Sequence, residues 1–229
     1  MEIQLHDIRV EVERKWIRTM RLTVRPPDGR VRLSVPWLVS SATARAFLES
    51  KWEWICRSRE RVMQRVVVPE KSYTDGETHY LFGTPYTLRV IPLTNGRSRT
   101  EIADEELRIY CREDATREQR ERLLRQLYRE QLAAELTEQI GRWLERIGEG
   151  EISWRLRLMR SEWGSCNARK RRLVFNEALA RVPKECIEYI VVHELSHLAV
   201  QNHGPAFKAL MSERLPDWPE RRKKLKVFT

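Results

Sequence analysis

Residues 191–204 read VVHELSHLAVQNHG, and they place three of the chain's five histidines, His193, His197 and His203, within one short stretch. The fold class turns on whether these are the donors of a metal site or the polar face of a histidine-rich helix. Residues four apart on an α-helix stand one turn above each other on the same face. His193 and His197 can therefore aim both imidazoles at one ion, at the Zn–N distance of about 2.0–2.1 Å. Glu194 projects about 100° further round the axis, beside the open coordination position. This is the H-E-x-x-H arrangement, in which the glutamate takes a proton from metal-bound water. A catalytic zinc takes three protein ligands and a water, and His203, six residues after His197, is the third candidate. Gln201, Asn202 and Gly204 can turn the chain back between the two, and Pro205 fixes the start of the next helix.

The background of the helix agrees with a metal. Ile187, Ile190, Val191, Leu195 and Leu198 cover its remaining face, so the helix is expected to be buried, where unpartnered polar groups are expensive. A chance H-E-x-x-H on a solvated helix is the competing explanation, and the third histidine and the apolar surround weigh against it. The spacing H-E-x-x-H-x5-H is that of the metzincins, but Val200 stands where those enzymes carry glycine. No Met-turn follows either, since Met211 in FKALMSERL reads as helix core.

The 229 residues suffice for one or two domains with a real core, and 41% hydrophobic with 33% charged residues suit a globular chain. No uncharged stretch is long enough to span a membrane. The charged, alternating start MEIQLHDIRVEVERK lacks the apolar core of a secretory signal, so a cytoplasmic protein is expected. Cys56, Cys111, Cys166 and Cys186 form no C-x-x-C pair, which excludes a zinc ribbon and favours reduced thiols. A net charge of +10 leaves nucleic-acid binding open. Most of the arginines, however, alternate with glutamates, as solvated helix faces do. The cluster Arg221, Arg222, Lys223, Lys224 and Lys226 reads as a frayed terminus.

Period-two alternation marks strands in IQLHDIRVEV, IRTMRLTVR and VRLSVP, with a turn at PPDG (Pro26–Gly29). A helix is expected over about 42–66, capped by Ser40 or Ser41, with Phe47, Trp54, Ile55, Val62 and Val66 on one side. Strands return in THYLFGTPYTLRVIP and ELRIYCR, separated by the polar turn TNGRSRTE. A long helix follows over about 116–147, ended by Gly148–Gly150. SWRLRLMR and RRLVFN read as strands joined by the connection SEWGSCNARK. Pro183 then opens a helix to about Val200, and Pro205 opens another to about Leu215. No internal repeat is evident. The resulting division is 1–112, strand-rich with one helix, and 113–229, helical and carrying the site.

WGSC (Trp163–Cys166), FN (Phe175, Asn176), VVHELSHL, NHGPAF and the Leu215–Pro216/Trp218 pair together resemble the YgjP-like zinc metallopeptidases, a family related to the SprT-like and WLM-type zinc peptidases. The dense part of the match runs from about Arg160 to Trp218. The resemblance implies an α+β fold: a zincin-like metallopeptidase domain with a strand-rich N-terminal half and a long connecting helix. It also implies His193, His197 and His203 as Zn2+ ligands, Glu194 as the catalytic base, and a cytoplasmic location.

The expected activity is a zinc-dependent metallopeptidase that hydrolyses peptide bonds through a zinc-bound water activated by Glu194. The substrate would be a peptide or protein, with no membrane partner, and the sequence leaves the oligomeric state open. Two alternatives stand beside it: a zinc hydrolase of non-peptide amides, and a nucleic-acid-associated protein with a DNA-regulated protease site. Around the motif, Gly164 is expected in a tight turn with unusual backbone angles. Cys166 is either buried filler or an inhibitory, redox-sensitive ligand. Tyr189, one turn before His193, either packs or stabilises an oxyanion. The strand around Leu173–Phe175 either accepts substrate backbone by strand addition or is sheet core.

Overall fold

The computed structural model describes residues 2–25, 28–63 and 71–228. It is of the α+β class, and the chain divides into two compact units, Met1–Lys71 and Ser72–Thr229.

The first unit is a four-stranded sheet with two helices. The strands are β1 (Glu2–Leu5), β2 (Ile8–Lys15), β3 (Arg21–Arg25) and β4 (Arg30–Pro36), in the order β1-β2-β4-β3. The alternation read from the sequence is the burial pattern itself: Val10, Val12, Val31, Leu33 and Val35 point into the core and the charged residues between them point out. Of the turn at Pro26–Gly29, the two prolines lie outside the described residues, and Gly29 takes the left-handed φ of 69° just ahead of β4.

The single helix expected over 42–66 is two, α1 (Ser41–Ser50) and α2 (Trp52–Met63), and its expected end at Val66 lies outside the described residues. Ser40 caps α1 by accepting from the Thr43 amide. The break at Lys51 follows Ser50, whose hydroxyl donates to the Phe47 carbonyl at 2.7 Å and competes for a helical acceptor. Ile55 is buried, as are Ala44 and Leu48 of α1, while Trp54 is turned to solvent.

In the second unit the strands β5 (Thr78–Leu81), β6 (Thr84–Pro92), β7 (Arg99–Ala103) and β8 (Glu106–Cys111) pair in the order β5-β6-β8-β7. Each sheet therefore has the same plan, an antiparallel pair, a parallel central pair and a second antiparallel pair. The sequence shows no repeat, yet the topology has one. Only the alternation is kept between the two copies, and alternation specifies a face, not an identity. β7 occupies part of the segment read as a polar turn.

The helix α3 (Arg117–Arg146) starts in a capping box between Thr116 and Gln119 and ends ahead of Gly148, which takes φ 66°. Its apolar stripe, Leu124 through Trp143, shares one core with Leu88, Leu107 and Ile109 of the preceding sheet. The sheet of residues 78–111 thus belongs with the site-bearing compact unit, Ser72–Thr229.

A three-stranded sheet, β9 (Ser153–Arg157), β10 (Gly164–Asn167) and β11 (Arg172–Asn176), is ordered β10-β11-β9. A short 3-10 turn, Glu177–Arg181, leads from it to α4 (Lys184–Ser196), and α5 (Pro205–Arg214) and α6 (Trp218–Leu225) close the unit. The basic stretch expected to fray is this last helix. α4 is buried nearly all round, from Cys186 to Ser196, and Glu188 fixes it to its neighbours. The Glu188 carboxylate accepts from Trp143 Nε1 of α3 at 3.0 Å and from Arg221 of α6 at 2.6 Å.

Candidate metal centre

α4 ends at Ser196, and His197 is its C-cap, still in right-handed helical geometry with φ −69° and ψ −12°. The helix therefore stops one residue short of completing the H-E-x-x-H pair, not at Val200. This early end has a chemical consequence. The His197 Nδ1–H donates to the Val200 carbonyl at 3.0 Å, and because a carbonyl only accepts, the Nε2 of that ring carries a lone pair. His203 returns to the pair from the following turn. Its Nε2 lies 2.9 Å from His193 Nε2 and 3.1 Å from His197 Nε2. The three residues form a group able to hold a metal ion.

Imidazole lone pairs set this close repel one another unless they share a proton or a cation. The edges of a tetrahedral zinc site are about 3.4 Å, so small outward movements of the three rings would admit such an ion. The donor set fits zinc: neutral nitrogen ligands, one of them oriented through its second nitrogen by a backbone carbonyl. Burial, and then the charges of His197 and His203, push His193 down to about 4. Burial also lowers His197. Both rings are therefore neutral, as ligation requires, at ordinary pH.

Phe207 in α5 is the floor of the cluster. It is 3% exposed, and its ring centroid lies 4.9, 4.7 and 4.8 Å from those of His193, His197 and His203. Pro205 at the first turn of α5 sets it there. The sequence reading assigned Phe207 no role, since one aromatic two residues after a proline carries no signal beyond its place in the quoted NHGPAF.

Glu194 is 5% exposed and faces Gly164 of β10. Burial, and then the charge of Glu162, push its carboxyl up to about 8. A dication beside it would draw that value down again. Gly164 is not in a turn of unusual angles: it lies in β10, opposite Phe175. Glycine is needed because a Cβ there would stand 2.8 Å from both Cγ and Oε1 of Glu194.

Asn176 supports this approach from below. Its side-chain amide donates to the carbonyls of Met159 and Glu162 at 3.0 and 2.7 Å, and its Oδ1 accepts from the Ala178 amide at 3.1 Å. The loop entering β10 is thereby fixed to the end of β11.

The neighbours weighed from sequence fall into place individually. Tyr189 is buried and stacked at 6.4 Å on Trp218, with its ring edge toward His193 at 5.8 Å. The Cys166 thiol is raised to about 11 by burial and then by Glu194, and its sulfur is not part of the group of donor atoms formed by His193, His197 and His203. Leu173 to Phe175 belong to β11, which is hydrogen-bonded on both sides, so that segment has no free edge for a substrate strand. The free edge on this side of the sheet is β10. It lines a cleft of about 740 Å³ together with His193, Glu194, His197, His203 and part of α6.

Three imidazole nitrogens facing one point beside a buried carboxyl, at the foot of a cleft with a strand on its rim, are the parts of a metal-dependent hydrolase. The chain belongs to the YgjP-like metallopeptidase domain family, whose model matches residues 18–228. Two solved structures are similar over part of the chain. One is the metallopeptidase zymogen jannalysin of Methanocaldococcus jannaschii, at 19% identity and a TM-score of 0.37, covering 40% of this chain and 94% of that one. The other is the metallopeptidase zymogen abylysin of Pyrococcus abyssi, at 16% identity and 0.38, covering 40% and 92%. No curated protein matches the sequence. Among the described residues, no helix is long and apolar enough to cross a membrane.

Proposed function

We propose that the protein is a zinc-dependent peptidase in which His193, His197 and His203 hold the ion and Glu194 is the general base. The observation that carries this reading is the meeting of three imidazole Nε2 atoms at 2.9–3.1 Å next to the one buried carboxyl that lines the cleft. A zinc ion held there would supply Lewis-acid polarisation of the scissile carbonyl and a lowered pKa for the attacking water.

The remaining work falls to the chain. Glu194, pressed against Gly164, accepts the water's proton and delivers it to the leaving amine. Its burial keeps the carboxyl from bulk water and sets a high proton affinity, which suits a group that must accept and then release a proton near neutral pH. The free edge of β10, Gly164–Asn167, offers backbone groups to an extended peptide, whose main chain would pair antiparallel or parallel along the cleft. An edge strand beside the reacting groups favours a peptide over a small amide, because it recognises repeated backbone donors and acceptors.

The test is Glu194→Gln in the zinc-loaded protein, assayed on unstructured proteins and on small amides. The expected outcome is full retention of zinc with peptide hydrolysis lowered by at least a thousand-fold. A fully active variant would sink the mechanism. Turnover of small amides but of no peptide would move the assignment to the non-peptide hydrolases.

A further inference from the structure

We propose that the α6 wall of the cleft binds a carboxylate of the substrate through Arg222, so that the enzyme selects peptides with an acidic group close to the scissile bond. This rests on the peptidase reading above and adds a substrate class to it.

The cleft is electrically divided. Glu162 and Glu194 stand together on one wall, near enough for the charge of the first to act on the second. The basic lining residues stand elsewhere: Arg169 in the turn between β10 and β11, and Arg222 and Lys226 on and just after α6. Helical spacing brings Arg222, Leu225 and Lys226 to one face, and that face is the one lining the cleft.

The other cations of α6 are committed to structure. Arg221 is held by Glu188 at 2.6 Å and by Asp217 at 2.8 Å, and Lys224 by Glu185 at 2.5 Å. Arg222 is exposed and, among the described residues, is in no ion pair; the same holds of Arg169. Arg222 lines the same cleft as Tyr189, His193 and Glu194. A guanidinium in that position presents a planar fork of donors to an incoming carboxylate. Leu225, beside it and 4% exposed, gives the stem of an acidic side chain an apolar surface.

An acidic group can reach Arg222 as an Asp or Glu side chain or as the C-terminal carboxylate of a short peptide, and the experiment separates them. One peptide sequence is made with Glu, Gln or Lys next to the cleaved bond, each with a free or an amidated C-terminus. Hydrolysis by the zinc-loaded protein is then measured. The expected result is a kcat/KM at least ten-fold higher for Glu than for Gln, expressed mainly in KM, with Lys poorest. If the terminal carboxylate is the anchor, the ten-fold difference instead follows amidation. Arg222→Gln should erase the preference and Arg222→Glu should turn it toward Lys. Lys223→Gln, the same loss of charge outside the cleft, should keep it.

Binding supplies an independent readout. A fluorescent Glu peptide should bind the Glu194→Gln protein in a salt-sensitive manner, and about ten-fold more weakly when Arg222→Gln is added. Cleavage of all peptides at equal rates overturns the proposal and leaves the peptidase reading intact. Cleavage of none, with no salt-sensitive binding, overturns both.

Discussion

Gly164 and Glu194 share one space: a Cβ at 164 would lie 2.8 Å from the carboxylate Oε1 and from Cγ of the same side chain. The contact is between a β-strand of the cleft rim and the helix that carries His193 and Glu194, so it fixes the base relative to the place where substrate would lie. Gly164→Ala should push the carboxyl aside while leaving the three imidazoles untouched. A displacement of about 1 Å costs on the order of a hundred-fold in rate. The expected outcome is that loss in kcat with unchanged zinc content, measured by steady-state kinetics and metal analysis. Retained activity would mean that Glu194 can shift without consequence, and so is not the base.

Phe207 makes a second prediction. Its ring touches all three histidine rings from one side, so it sets the angle at which their Nε2 atoms meet. Phe207→Ala should destabilise the unit by about 3–5 kcal/mol, as for other buried phenylalanines. Phe207→Leu keeps most of the volume, but it should still weaken zinc binding about ten-fold, the loss typical when a support of metal ligands is removed. A chelator competition titration reads this directly, and unchanged affinity in the leucine variant would reduce Phe207 to filler.

What could be read from the sequence divides along physical lines. The four residues proposed for the site were singled out in two ways: helical spacing groups His193 and His197 with Glu194 beside them, and His203 stands just beyond the break after Val200. The long helix 117–146 was legible from its apolar stripe and the glycines that end it, Gly148 and Gly150. Contacts whose partners are distant in sequence were not. Nothing in WGSC says that Gly164 must clear Glu194, thirty residues away. Nor does the tail RRKKLK show that Arg221 and Lys224 are held by Glu188 and Glu185 while Arg222 turns toward the cleft. The strand β10 was missed for the same reason, because its pairing partner decides it against weak local preference, whereas the kink after Ser50 goes with a local side-chain bond that an apolar stripe does not show. The two sheets share a plan with little shared sequence, since only the alternation of buried and exposed positions is required of them.

Asn176 is the residue through which β11 controls β10. Its side chain donates two hydrogen bonds to the loop at Met159 and Glu162 and caps the turn that follows. Asn176→Ala removes all of these at a buried position, at a cost of about 2–3 kcal/mol. Asn176→Asp keeps the acceptor to the Ala178 amide but loses both donors to the loop. The expected outcome in the aspartate variant is faster proteolysis within residues 159–163, together with a drop in kcat, since Gly164 follows directly. A protected loop in that variant would show that the bonds Oδ1 accepts, from the Ala178 and Met159 amides, suffice without the two donors.

Acid should unfold the site-bearing unit through Glu177. This carboxylate, 7% exposed at its side chain, accepts from Arg125 at 2.6 Å and also from Arg129, tying α3 to the turn ahead of α4. Burial on its own raises the carboxyl, but the two arginines outweigh it, and Glu177 titrates below its ordinary 4.5. The sign follows. The unfolded chain takes up the proton first as pH falls, so the contribution is complete above pH 4.5 and is lost on descending through the lower folded value. Glu188, lowered against its own burial by Arg221, Trp143 and Arg142, adds in the same direction. Using the metal-free protein avoids acid release of the ion, and the histidines titrate alike in variant and parent. In it, Glu177→Gln should lower stability at pH 7 by on the order of 1–3 kcal/mol, because two arginines lose their charge partner. The gap between variant and parent should narrow as pH falls through the lowered folded value of Glu177, because below it the parent's carboxyl is also neutral. Denaturant unfolding followed from pH 7 to pH 3 measures the gap. If the two curves stay parallel across that range, the acid sensitivity of the unit lies in other carboxylates than Glu177.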